Sequence, residues 1–576
     1  MMYYEKLHRI ERILFDALAM GLVLFYSYSA ILAPAATQYH RGIYIIITYM
    51  LVFMLYRTPT IWGRLWDYLL IAASIVSIGY WILNFEAINY RAGAETQLDK
   101  WIAMIGVLIG VELARRVVGN VFVIIGGIML LYGVYGEYAP ELISHAGDTF
   151  PDLCTSIFYK SDGVFGIMAN VLATYIILFV IFGAFLEKSG AQRFFIDFPL
   201  AAVGHKIGGP AKVSVIASGL FGSISGSAIA NTVSTGAFTI PMMKKAGFKS
   251  HVAGGIEPAA SIGGMFMPPI MGAGGFIMAE LTGVPYSTIM LVAIFPALMY
   301  FLSVFVMVHY EAKRHNIVGE RSKESAKEIL KKEWFYILPL VIITIFMLSG
   351  YSPGYSAILG IVACIVVSWF RKDTRIGLKG FMEASRAGAE SSLKIGATVG
   401  VIGIIIGVLT YSGLVLTFAD IVIELADGKL WLTILLIAFA SLILGMGVPV
   451  TAAYLITAVV AVPALTELGV NPIAAHMIVY WLSQDSNITP PVCIAAFAGA
   501  TIAKANMWKT AFTSFKFAKF LYLGPFLFGY VPGFSLDGTA KDIVITFILI
   551  LFGTYAYAWL LSGIWLDWFN KSPAKT

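Results

Sequence analysis

Hydrophobic residues come in runs of about twenty along this chain, and short polar stretches between them hold most of the charge. That period predicts membrane-crossing helices. Such runs fall at 14–33, 42–56, 66–84, 101–118, 120–137, 164–186, 252–281, 288–308, 335–350, 355–370, 396–417, 471–503, 516–531 and 543–568. Two more apolar stretches, 213–243 and 430–463, have flanks that argue against a crossing. Lys206 and Lys212 precede the first, and Lys244, Lys245 and Lys249 follow it. Asp420, Glu424 and Asp427 precede the second, and Glu467 follows it. A crossing would place like charges on opposite sides of the membrane. A re-entrant hairpin keeps both ends on one side, provided that protein or a wet cavity covers its tip.

Loop charge sets the orientation. Arg57, Arg64, Arg115 and Arg116 lie in two early loops, whereas the 137–162 loop carries Glu137, Glu141, Asp148 and Asp152 against Lys160 alone. The 311–333 loop holds Lys313, Arg314, Arg321, Lys323, Lys327, Lys331 and Lys332, and Lys571 and Lys575 close the chain. Lys and Arg concentrate on the cytoplasmic side, so both termini and the 311–333 loop are expected inside and 137–162 outside. The first hairpin then opens inward and the second outward. The expected fold is an all-α polytopic membrane protein of about fourteen transmembrane helices plus two re-entrant helical hairpins.

Composition agrees: of 576 residues, 59% are hydrophobic and 12% charged, more apolar surface than a soluble core needs. The net charge of +6 is accounted for by cytoplasmic loops, so no nucleic-acid partner is expected. Cys154, Cys364 and Cys493 have no spacing that suggests a disulfide framework or a transition-metal site. Glu5, Lys6, Arg9, Glu11 and Arg12 lead into a full-length span with no small-residue cleavage site, so no cleavable leader is expected.

The two anomalous stretches belong to a repeat. Pro490–Pro491 follows Pro268–Pro269 by 222 residues, and the same spacing relates Pro241 to Pro463, Gly247 to Gly469, Ser261 to Ser483 and Ala273 to Ala495. A spacing of 223 relates Ser189–Gly190 to Ser412–Gly413 and Asp197 to Asp420. Interrupted hydrophobic segments at matching positions, with hairpins opening to opposite sides, point to inverted repeats. They point also to a secondary transporter whose site lies at the repeat interface. The expected division is a helical scaffold at 1–137, a linker at 138–163, a first repeat at 164–310, a cytoplasmic loop at 311–334, a second repeat at 335–530 and a C-terminal helix at 531–576. The amphipathic stretches 190–205 and 413–428 read either as interfacial arms joining a static part to a moving one or as ordinary surface helices.

The candidate site lies at the hairpin tips and the proline-broken helices. The first tip reads GSISGSAIANT from Gly222 to Thr232 and the second GMGVPVTAAY from Gly445 to Tyr454. The breaks read SIGGMFMPP from Ser261 and SQDSNITPP from Ser483. Glycines let backbones approach, hydroxyl and amide oxygens are hard ligands, and proline frees carbonyls of the preceding turn. The first cation site is therefore placed at Ser225, Ser227 and Asn231 with carbonyls of Gly264, Met267 and Pro269. The second is placed at carbonyls of Gly447, Ser486 and Val492 with the Thr489 hydroxyl. Ser223, Thr232, Gly263, Thr451, Asp485 and Asn487 are placed in substrate binding or coupling, since half-helix N-termini suit a carboxylate. Asp485, an acid within an expected span, carries a proton, completes a cation shell or caps the broken helix. His476 is expected to pack, and Glu112 and Arg116 to pair at i,i+4.

At these motifs the chain resembles the TRAP transporters, and among them the fused permeases that work with TAXI-type binding proteins. The likeness is densest from about residue 160 to 530. It runs through FGAFLEKSGAQRFFIDFPLAAVGHKIGGPAKVSVIASGLFGSISGSAIANTVSTGAFTIPMMKKAG (Phe182 to Gly247), EPAASIGG, MPPIMGAGGFIMAE, GMGVPVTAAY, AAHMIVY and ITPPVCIAAFAGA. YEKLHRIERILFDALA and ELARRVVG look like the fused small subunit. The resemblance implies an elevator mechanism in a bacterial or archaeal inner membrane and cation-coupled uptake of a small organic anion. It also implies delivery by a periplasmic TAXI-type binding protein to a permease taken as monomeric, with Na⁺ or H⁺ as the coupling ion and no other cofactor. The sequence departs from the family at Ile262 and Met265, where STGGQ is usual, and at Val448 and Val450, where GLPTTAAY is usual. Polarity has moved from the first half to the second, which keeps proton coupling through Asp485 open. An enzyme is disfavoured by scattered histidines and the lack of nucleophile–base spacing, and a channel by the lack of rings of like charge.

Overall fold

The structure is a computed structural model and describes residues 4–446 and 448–565. Among these residues it is helical, with no strand. Eight helices are long and apolar enough to cross a membrane: Arg9–Ile31, Ile61–Leu83, Asn120–Tyr138, Ile167–Lys188, Tyr286–Arg314, Leu378–Tyr411, Val450–Glu467 and Ala540–Ser562. Of the other expected spans, 42–56 and 101–118 form unbroken helices of 19 and 21 residues, Thr37–Leu55 and Gln97–Val117, whereas 252–281 and 471–503 are broken at the prolines 268–269 and 490–491 and the rest form shorter helices. Lys571 and Lys575 lie outside the described residues.

Among the described residues, three helices of ten residues or more escaped the hydropathy pattern. Phe150–Tyr159, in the expected outer loop, is amphipathic and buries Leu153, Cys154, Ile157 and Phe158 against Gln97–Val117. Leu378–Gly396 buries small residues, Ala384, Ser385, Gly388, Ala389 and Ser392, and so packs closely without a strongly apolar face. Met507–Phe517 is half polar.

The chain forms two compact units. The first holds the residues up to Lys188, Ser349–Gly428 and residues 448–464. One group of its charges surrounds Asp67 and Glu112. Arg116 pairs with Glu112 at 2.7 Å, as expected, and also with Asp67 at 2.5 Å, while Arg57 pairs with Glu11 at 3.2 Å. Asp67 further accepts from the Thr58 backbone at 2.8 Å. Elsewhere in this unit the fully buried Asp99 takes two bonds from Arg91, each 2.7 Å, and one from Tyr80.

The second unit holds Ser189–Leu348, Lys429–Met446 and residues 465–565. Its hub is Ser250–Gly264, packed against Gly209–Ser225, Ala228–Lys245, Ile494–Ala503 and Met507–Phe517. At its edge, Ala540–Ser562 buries only Thr554, Ala558 and Ser562, a narrow i,i+4,i+8 stripe against Tyr286–Arg314. Its other faces expose Val544, Ile548, Leu549 and Phe552, which suits lipid rather than water.

The repeat is visible in the backbone. Met271 (φ +56°) and Cys493 (φ +47°) both take the left-handed conformation, 222 residues apart, and both Pro-Pro bonds are cis. A non-glycine residue there is strained, and its recurrence at the repeat spacing in both breaks is not chance packing. Gly247 and Gly469 match at the same spacing, and Gly190 and Gly413 at 223, all with positive φ. The last pair opens the helices Ala191–Val203 and Leu414–Leu425, which fall in the two stretches expected to be amphipathic.

Candidate functional site

The first hairpin consists of Gly209–Ser225 and Ala228–Lys245, which turn at Gly226 and pack on each other. Ser227 starts the second arm by accepting from the Ala230 amide at 3.3 Å, and Ser225 donates to the Ser227 carbonyl at 3.4 Å. Ser223 donates to Leu220 one turn back. These three hydroxyls shape the tip.

The tip lies directly on the first break. A Cβ at Gly264 would stand 2.4 Å from the Gly222 Cα, and one at Gly222 would stand 2.8 Å from the Gly264 Cα. Only two glycines allow that approach. Asn231 is fully buried beside them, donating from Nδ2 to the Ser218 carbonyl at 2.9 Å. Its Oδ1, the Thr232 hydroxyl and the Ser261 hydroxyl are buried with no hydrogen-bond partner. Buried polar atoms are rarely left so, and all three are hard oxygens of the type that hold Na⁺-like cations.

The structure thus sets Gly222, with Asn231 beside it, on Gly264 of the break; Ser223, Ser225, Ser227 and Thr232 belong to the same hairpin, and Gly263, Met267 and Pro269 to the same break. Two of these have other neighbours as well. The Pro269 carbonyl accepts from Tyr286 at 2.9 Å, and a Cβ at Gly263 would meet Tyr300 and Phe301. Tyr480 fixes the break from the second repeat, donating its hydroxyl to the Met265 and Met271 carbonyls at 2.8 and 2.5 Å.

The second break runs from Pro472–Ser483 through a tight turn at Asp485–Asn487 to Ile494–Ala503. Leu430–Gly445 ends against it, for a Cβ at Gly445 would stand 2.4 Å from the Ser486 side chain. Asp485, Ser486 and Asn487 are all about 2% exposed. Asp485 Oδ1 and Gln484 Nε2 have no partner, and Asn487 donates to the Gln484 carbonyl at 3.2 Å. The Thr489 hydroxyl is bonded to Tyr522, and Val492 is half-buried in the same turn. Thr451 sits on Val450–Glu467 in the first unit, and Gly447 lies outside the described residues. His476 is buried.

Sequence reasoning missed Glu257. This fully buried acid lies on Ser250–Gly264 beneath the hairpin, and hydroxyls of Ser214, Ser218, Thr235 and Thr239 all donate to it. The signal was present: it is the sole acid between Lys249 and Ala279, and an acid inside an apolar run marks function by default.

Residues 105–534, well over half the chain, match the family model described as "Tripartite ATP-independent periplasmic transporter, DctM component". Among similar proteins is a putative TRAP transporter large permease protein of Haemophilus influenzae, 26% identical over 317 residues (54% of this chain, 74% of that protein). The C4-dicarboxylate TRAP transporter large permease protein DctM of Pseudomonas aeruginosa is 25% identical over 396 residues (66% and 91%). The sialic acid TRAP transporter large permease protein SiaM of Vibrio cholerae is 23% identical over 346 residues (60% and 80%).

Proposed function

The chain belongs to the family of DctM components of tripartite ATP-independent periplasmic transporters, and on that premise we propose that it moves a small organic anion by cation-coupled uptake, Na⁺ being the favoured ion. As a family member it is a membrane permease component and not an enzyme, and the family works with a periplasmic binding protein. The finer reading is a monomeric inner-membrane permease with both termini cytoplasmic, about fourteen crossings and two re-entrant hairpins of opposite orientation. One hairpin side moves as an elevator. The TAXI-type sequence motifs support a TAXI partner. Residues 1–104 precede the family match, which supports reading that stretch as a fused small-subunit region, whereas residues 105–137 fall within the match to the large component. The relatives named for C4-dicarboxylate and sialic acid support a carboxylate substrate.

The observation that carries the Na⁺ reading is the set of buried oxygens without partners at Asn231, Thr232 and Ser261, on the first hairpin and on the helix that leads into the first proline break. Glycines bring the hairpin tip onto that opened backbone, so loss of a bound cation bears directly on how the tip seats. A second reading, proton coupling through Asp485, is favoured by its buried carboxylate oxygen without a partner. Proteoliposomes loaded with the purified chain separate the two. Uptake of radiolabelled dicarboxylate with a TAXI-type binding protein is expected to follow an inward Na⁺ gradient at constant pH. Uptake driven by a pH gradient alone would transfer the role to the proton. Full uptake with no binding protein would refute the tripartite reading.

A further inference from the structure

Glu257 is held in an arrangement with a function of its own. Ser214 and Ser218 stand one turn apart on the first hairpin arm, and Thr235 and Thr239 one turn apart on the second. This i,i+4 spacing on two helices aims four hydroxyls at one carboxyl group on a third. Ser218 (2.5 Å) and Thr235 donate to Oε1, and Ser214 and Thr239 donate to Oε2. No cationic side chain is among these partners. Charged groups on the helices packed around Glu257 are engaged elsewhere or exposed. Lys212 Nζ lies 3.0 Å from His309, Lys244 donates to the Ala503 carbonyl, Lys245 pairs with Glu320, and Lys516 pairs with Glu311. Lys313, Arg314, Lys504 and Lys509 are exposed, and His251 lies at the start of the hub helix.

A hydrogen count shows what the cradle permits. Four hydroxyls supply four hydrogens, which together satisfy an ionised carboxylate. Each threonine also has a second acceptor within reach: Thr235 Oγ1 lies 2.7 Å from the Asn231 carbonyl, and Thr239 Oγ1 lies 3.1 Å from the Thr235 carbonyl. A protonated carboxyl brings a fifth hydrogen. It donates that hydrogen to one threonine, which turns its own to the carbonyl one turn back. Every donor and acceptor is then paired in both charge states without moving a heavy atom. A buried group left unpaired in one state would be costly, and more so if charged.

We propose that Glu257 is a proton-binding site of the first hairpin, taking one proton from water and returning one to water in place while a threonine hydroxyl changes acceptor. Its charge state reaches Asn231 directly, through Thr235 on the Asn231 carbonyl and through Ser218, whose carbonyl holds the Asn231 amide. The inference goes beyond the Na⁺ reading and is tested apart from it, in sodium-free medium.

The test is infrared difference spectroscopy of the purified full chain between acid and alkaline pH. A carboxylic C=O band that appears on acidification is expected in wild type and lost in Glu257→Gln. Ser214→Ala removes a donor to the anion and is expected to move the midpoint of that band to higher pH by about one unit or more. A titrating band unchanged in Glu257→Gln, an unmoved midpoint in Ser214→Ala, or no titrating band in wild type would overturn the proposal. If Glu257→Gln does not fold, Ser214→Ala decides alone.

Discussion

Gly264→Ala probes the contact on which the candidate site depends. The added methyl would stand 2.4 Å from the Gly222 Cα, 2.7 Å from the Gly222 carbonyl carbon and 3.0 Å from the Ser218 carbonyl oxygen. Carbon atoms at rest stand about 3.5–4.0 Å apart, so the hairpin arm must retreat by roughly 1 Å. The obstacles are backbone atoms, with no side chain to swing aside. Overpacking of this kind costs about 1–3 kcal/mol. Borne only by the arrangement in which the tip seats on the break, that cost is about a 5- to 150-fold loss of apparent cation affinity. The assay is thermal unfolding in detergent across a Na⁺ titration, followed by uptake in proteoliposomes. Gly553→Ala serves as control, because no atom lies within 4 Å of a Cβ there; it is expected to match wild type. Wild-type Na⁺ response in Gly264→Ala would refute the argument, for it would mean that the tip and break need not touch.

Three further outcomes are expected. Thr489→Val breaks the bond to Tyr522, costing about 1 kcal/mol of stability, and weakens Na⁺ activation by more than that; unchanged Na⁺ activation would remove Thr489 from the second site. Asp485→Asn keeps size and capping ability but not the titrating charge, and should lose accumulation driven by a pH gradient while ligand exchange persists; accumulation at the wild-type level would reduce Asp485 to a cap. Arg91→Ala strips two bonds from the buried Asp99 and should lower thermal stability by up to about 3 kcal/mol, given the partial exposure of Arg91; a loss too small to measure would show that the bonds Asp99 keeps, from Tyr80 and from the Thr96 amide and hydroxyl, suffice.

Much of this architecture was legible in the sequence, since proline and glycine act locally. Pro268–Pro269 and Pro490–Pro491 break their helices wherever the rest of the chain goes, and Gly226 turns the first hairpin by its own φ of +65°. Apolar length likewise announced Tyr286–Arg314 and Ala540–Ser562. Leu378–Gly396 was hidden because its buried face is built of alanine, serine and glycine, which hydropathy does not count. Phe150–Tyr159 was hidden because a short amphipathic helix in a charged loop resembles the loop. At the site, the sequence singled out Asn231 for its amide oxygen in a glycine-rich hairpin tip and Asp485 as an acid within an expected span. Glu257 escaped because its four partners lie 18 to 43 residues away, and only the packing of three helices reveals that their hydroxyls converge.

The order in which a ribosome supplies these segments matters as well. The first unit is written in three instalments, and its last lies at residues 448–464. Everything up to Lys188 is therefore made, and inserted, long before the helices that complete its packing exist. The salt bridges of that early stretch, the buried Arg116 with Asp67 and the half-buried Arg116 with Glu112 and Arg91 with Asp99, are local enough to close while it waits. For the same reason no single cut in the gene yields either unit whole. Two-piece expression at 348–349 would leave each fragment holding parts of both units, and neither would have a complete one.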